Sequence, residues 1–220
     1  MIYLFKSLLL LHIAGGTVGL ISGTIAASVH KGTPGHKLSG KFFFWGMLVA
    51  SIAALLLSNL PDHHNIFLFA VGGFTFYMIS SGYRIVFLKR KGMKSFSIID
   101  YTIFLFGAGF GVFLLYMGIY NIINGNNFGM VPCVFGFVCI GFAKNDYIMI
   151  FRNVPVKEIW IHSHIVRMMG AMIASYTAVL VVNVKMEPNW VLWLAPTLVG
   201  TFLITFFIRK YAPKAPKLPS

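Results

Sequence analysis

Residues Trp160 to Asn183 read WIHSHIVRMMGAMIASYTAVLVVN. The stretch is long and apolar enough to cross a bilayer, whose hydrocarbon core takes about 20 residues of helix. Yet it opens with His162, His164 and Arg167. Charge in hydrocarbon is costly, so an ionisable cluster at membrane depth marks a functional site by default. The rest of the chain reads as a bundle built around this helix.

Working outward, the same pattern repeats. Hydrophobic residues make up 58% of the chain and charged ones only 10%, where a soluble domain carries about a quarter charged. Seven apolar segments are expected: about Tyr3–Ser28, Leu38–Leu60, Ile66–Phe87, Ile98–Ile123, Phe128–Phe151, the opening stretch started by Pro155, and Trp190–Ile208. The fold class is therefore all-α, a polytopic membrane bundle of seven transmembrane helices. One transmembrane domain covers 1–210, and a basic, Pro/Lys-rich tail covers 211–220. Lys6 before an apolar run is compatible with a signal peptide, but the run is long and holds His12 and several glycines, so it reads as a helix of the bundle.

The net charge of +13 is distributed unevenly. Of the 18 Lys and Arg residues, all but Lys6, Arg167 and Lys185 fall in the loops after segments one, three and five or near the C-terminus. Those places share one side of a seven-helix protein. The positive-inside rule then puts the N-terminus outside and the C-terminus in the cytoplasm, as in a bacterial inner membrane. The basic excess thus reports orientation and not a nucleic-acid partner. Membrane lipid, and quinone for a redox role, are the partners expected, with the oligomeric state left open. Cys133 and Cys139 lie on different helix faces, so neither a disulfide nor a zinc site is expected.

Three sets of polar residues stand out. In segment one, His12 precedes Gly15, Gly16, Gly19 and Gly23, a groove suited to close helix packing or to a flat cofactor. In segment six, His164 shares a face with Arg167, Ala171 and Ser175 and should look into the bundle. His162 shares the opposite face with Val166, Met169 and Ile173 and should look toward lipid. Arg167 needs a carboxylate, a carbonyl or an anionic ligand. By helical rise, His12 and His164 lie at levels only a few Å apart in a core ~30 Å thick. They are the expected pair of axial ligands for a b-type haem, with Arg167 near a propionate. The third set, His36, Arg84, Asp100 and Asp146, gathers at the inner side as ordinary ion pairs, as a binding pocket, or with His164 as a divalent-metal site. His63 and His64 sit in an outer turn and should be solvated. There is no P-loop, nucleophile elbow or dinucleotide fingerprint.

These motifs resemble a bacterial multi-pass membrane family catalogued as a domain of unknown function. The likeness rests on His12 with Gly15 and Gly16, His36 with Gly40, and His164 with Arg167 and Met168. The arrangement is also distantly similar to the cytochrome b561 type, in which helix histidines hold haem b. That resemblance implies at most one haem here.

Three functions follow as expectations. The first is an inner-membrane redox protein with one haem b between His12 and His164, passing electrons from a quinol. The second is a transporter or lipid-headgroup binder using the inner polar set, and the third a metal-dependent membrane hydrolase.

Overall fold

The computed structural model describes residues 2–91, 96–152 and 156–212, with side chains omitted at 90, 91, 157 and 158. Seven α-helices run through them: α1 Ile2–Ser28, α2 Pro34–Leu57, α3 Ile66–Lys91, α4 Ile98–Ile123, α5 Met130–Phe151, α6 Val156–Asn183 and α7 Trp190–Tyr211. Each is long and apolar enough to cross a membrane, and no strand occurs among the described residues. Pro155, Lys94 and the tail from 213 onward lie outside the described residues.

Local chemistry explains the helix ends. α2 starts at Pro34, not Leu38, because Thr33 caps it and proline suits the first helical position. α4 starts at Ile98 through a capping box. The Asp100 carboxylate accepts the Ser97 backbone N–H at 2.8 Å and the Ser97 hydroxyl at 2.9 Å. Asn126 caps a short 3-10 turn over Asn127–Gly129 that leads into α5.

The centre of the bundle is α3, not α6. α3 packs against α2, α4, α5 and α6. Its Ala70, Tyr77, Met78 and Ile79 are 0–1% exposed, and 61% of its most apolar window is buried against 33% for α6. The charges of α6 draw the eye in the sequence, but burial follows from how many neighbours a helix has.

Two seams of small residues bring backbones close. Gly15 and Gly19 of α1 face Gly46 of α2, where an added Cβ on Gly46 would lie 2.7 Å from Gly19 N and 2.8 Å from Gly15 O. Gly111 and Gly118 of α4 face Gly136 and Cys133 of α5 in the same way. Such seams supply dispersion contact where lipid gives no hydrophobic drive.

α7 covers part of the face of α6 expected to meet lipid. Ile173 fills the space beside Gly200, and Met169 is buried, while His162 is exposed as expected.

Candidate functional site

The glycine groove of α1 is filled. A Cβ on Gly19 would strike Met47, and one on Gly23 would strike Phe43, both from α2. Gly16 approaches only the Ala50 side chain, at 3.9 Å from an added Cβ. His12 Nδ1 donates to the Ala50 carbonyl of α2 at 2.9 Å. The close-packing reading of these glycines is what the geometry supports.

His164 meets a different histidine. Its ring lies edge to face with His36, centroids 6.5 Å apart. Its Nδ1 donates to the Gly82 carbonyl of α3 at 2.9 Å, and His36 Nδ1 donates to the Ala26 carbonyl of α1 at 3.0 Å. From His36 to Ala50, beside His12, the rise along α2 is ~21 Å. One macrocycle between His12 and His164 does not fit that spacing. The depth argument misled because α1 has 27 residues, ~40 Å of helix, and overruns the ~30 Å core used to place its histidine.

The inner polar set divides into three. Arg84 grips Asp100 with Nε to Oδ1 at 2.8 Å and Nη2 to Oδ2 at 2.9 Å, and also donates to Ser97 Oγ at 2.8 Å. Deeper, Arg167 holds Asp146 through Nη2 at 2.6 Å and Nη1 at 3.1 Å. Tyr77 donates its hydroxyl to the same carboxylate at 2.5 Å, joining α3, α5 and α6. Arg167 is 2% exposed and Asp146 5%, so the charge is neutralised by pairing and not by water. His36 and His164 are left to a third place. Both carboxylates are claimed by arginines, so the expected four-residue metal set is not assembled. Among the described residues no group of three or more His, Cys, Asp or Glu is placed to hold a metal ion.

That third place is a cavity of about 540 Å³ at the end of the bundle where α1, α3 and α7 finish and α2 and α6 begin. Phe43, Trp160, Met168, Met172 and Phe207 form apolar walls, while His36, His164, Lys31, Lys37, Lys41 and Lys89 add the charge and polarity. Two of these lysines are held on aromatic rings. Lys31 Nζ lies 4.3 Å from the centre of Phe207, and Lys89 Nζ 4.4 Å from that of Trp160. Lys31 also donates to Ala26 O at 3.1 Å and Ala27 O at 2.5 Å, carbonyls at the end of α1. Burial first, and Lys210 second, hold its ammonium below the ordinary lysine value.

The described acids near this end are engaged. Asp100 and Asp146 are paired with arginines, and Asp62 and Glu187 lie in the turns of the opposite end. The side chain of Glu158 lies outside the described residues. Among described side chains, four lysines therefore face one cavity without a protein carboxylate.

Sequence reasoning found both His36 and His164, but paired His164 first with His12 and joined it to His36 only in the candidate metal set. It missed Tyr77, Lys31 and Phe207. Tyr77 had a signal, since it lies seven positions before Arg84 on α3 and so near the same face. Phe207 had none, because the approach of α7 to α1 depends on helix arrangement.

Fold and site together define a multi-pass, membrane-type helical bundle with an apolar-walled, lysine-rimmed cavity at one end. No protein-family model, curated protein or solved structure matches this chain.

Proposed function

We propose that this protein binds an anionic amphiphile of the membrane in the cavity at its basic end. The observation that carries the reading is the combination of apolar walls with four lysines that no described carboxylate neutralises. An apolar chain matches the walls. An anionic head matches the lysines, and a cationic one would be repelled. By the positive-inside rule this end faces the cytoplasm, where anionic lipid heads are attracted by about 1 kcal/mol per lysine.

The test is native mass spectrometry of the full chain purified in detergent. It would be titrated with dioleoyl phosphatidylglycerol and, separately, dioleoyl phosphatidylcholine. The expected result is preferential retention of the anionic lipid, lost in the Lys37→Glu, Lys41→Glu double variant. Equal retention of the two lipids by the unaltered protein overturns the reading.

A further inference from the structure

The lysines explain attraction to an anion, but they leave the two imidazoles unexplained. A carbonyl oxygen only accepts, so the bonds to Ala26 O and Gly82 O fix the proton of each ring on Nδ1. Nε2 is then the remaining polar atom of each ring, and no hydrogen bond engages it among the described residues. In a neutral ring that atom is a base. Two bases 6.5 Å apart by ring centroid, among four ammonium groups, ask for a ligand that accepts from lysine and also carries a proton of its own.

Resting on the amphiphile reading, we infer that the head taken by this cavity is a singly esterified phosphate on an apolar chain. A phosphodiester has no O–H on its phosphate to offer. A carboxylic acid, with a pKa near 4, has given its proton up at neutral pH. A phosphate monoester has its second pKa at about 6, beside the ~6.5 of imidazole, and three acceptor oxygens. In its monoanionic form it meets Nε2 through its own O–H. Alternatively that proton passes to Nε2, leaving a dianionic phosphate facing an imidazolium; the count of protons is unchanged and no other bond is altered. The remaining oxygens accept from the lysines. Among the described side chains, the ionisable groups facing the head are Lys31, Lys37 and Lys41 from the α1–α2 corner, Lys89 and Tyr83 from α3, and Tyr211 from α7.

Asparagine separates the two nitrogens of each ring. Its amide N–H can replace the Nδ1 donor to the helix carbonyl but leaves nothing at the Nε2 position. The experiment measures binding of dioleoyl phosphatidic acid and dioleoyl phosphatidylglycerol to the full chain in detergent, in the unaltered protein and in His36→Asn and His164→Asn. The expected result is that the monoester binds at least about tenfold more tightly than the diester, as charge-assisted hydrogen bonds allow. Each variant should erase most of that ratio by weakening the monoester more than the diester. Equal binding of the two lipids by the unaltered protein, or a ratio that survives both substitutions, overturns the inference and leaves the amphiphile reading standing. Failure to prefer either lipid over dioleoyl phosphatidylcholine overturns both. Farnesyl phosphate, run in parallel, distinguishes the source of the head. Binding tighter than phosphatidic acid assigns a prenyl chain, weaker binding assigns a glycerolipid, and both orders support the monoester.

Discussion

Arg167 of α6 and Asp146 of α5 form a two-point ion pair, Nη2 to Oδ1 at 2.6 Å and Nη1 to Oδ2 at 3.1 Å, at membrane depth. Tyr77 adds a third bond from α3. Removing one charge strands the other where no water reaches it. Arg167→Met and Asp146→Asn should each lower stability by about 3–5 kcal/mol. Tyr77→Phe should cost about 1–2 kcal/mol, the scale of one hydrogen bond to a charged group. Unfolding followed in detergent by tryptophan fluorescence checks the order. A Tyr77→Phe variant less stable than Arg167→Met would contradict it.

The α1–α2 seam depends on bare backbone. A Cβ on Gly46 would lie within 3.0 Å of three atoms of α1, none of them a movable side chain. Gly46→Ala should therefore lose about 1–3 kcal/mol through overpacking. Gly109 of α4 has nothing within 4 Å of an added Cβ, so Gly109→Ala should be neutral or gain up to ~1 kcal/mol from helix propensity. Thermal midpoints of the two variants, compared side by side, should move in opposite directions or with only the first falling.

Asp100 closes α4 and holds Arg84 at once. Asp100→Asn keeps the shape but removes the charge that Arg84 grips and weakens acceptance from Ser97. Hydrogen exchange should quicken at the first amides of α4, while lipid retention in the cavity stays unchanged, because neither Asp100 nor Arg84 lines it. Loss of lipid with no change in exchange would mean that the two places are linked.

Lys31 sets a pH dependence. Its pKa is held below the ordinary 10.5 by burial and then by Lys210. In the window beneath 10.5 the folded state binds fewer protons at this site than the unfolded chain, so its contribution to stability rises as pH climbs toward that value. Lys31→Met should flatten this rise, and Lys210→Gln should flatten it in part. Unfolding midpoints measured between about pH 8 and 10.5 test it. A profile equally steep in Lys31→Met assigns the rise elsewhere.

Much of the fold was legible because apolar length and turn residues mark spanning helices. The limits Ile98–Ile123 match to the residue, since Ser97 and Asp100 announce a cap and Asn124 an end. Pro34 to Lys37 was read as loop because hydropathy sees polar residues and not a proline with a threonine cap. Arg167 was expected to need a partner, and a carboxylate supplies it. Which carboxylate, and which histidine meets His164, were not legible. Helices apolar on most faces do not encode their neighbours in periodicity, and the centrality of α3 was hidden for the same reason. His36, read as one member of a spread-out inner set, instead forms a ring pair with His164 across the cavity at the basic end.

The cavity draws on both ends of the chain. Lys31 follows the first helix, and Phe207, on which its ammonium rests, belongs to the last. During synthesis the ring emerges well after the lysine, so this wall of the cavity is completed only as α7 joins the bundle. A chain cut short before Phe207 would keep its six earlier helices yet present the lysines to an open groove. The seventh helix is thus part of the cavity wall itself, and a bound amphiphile would report that α7 has docked.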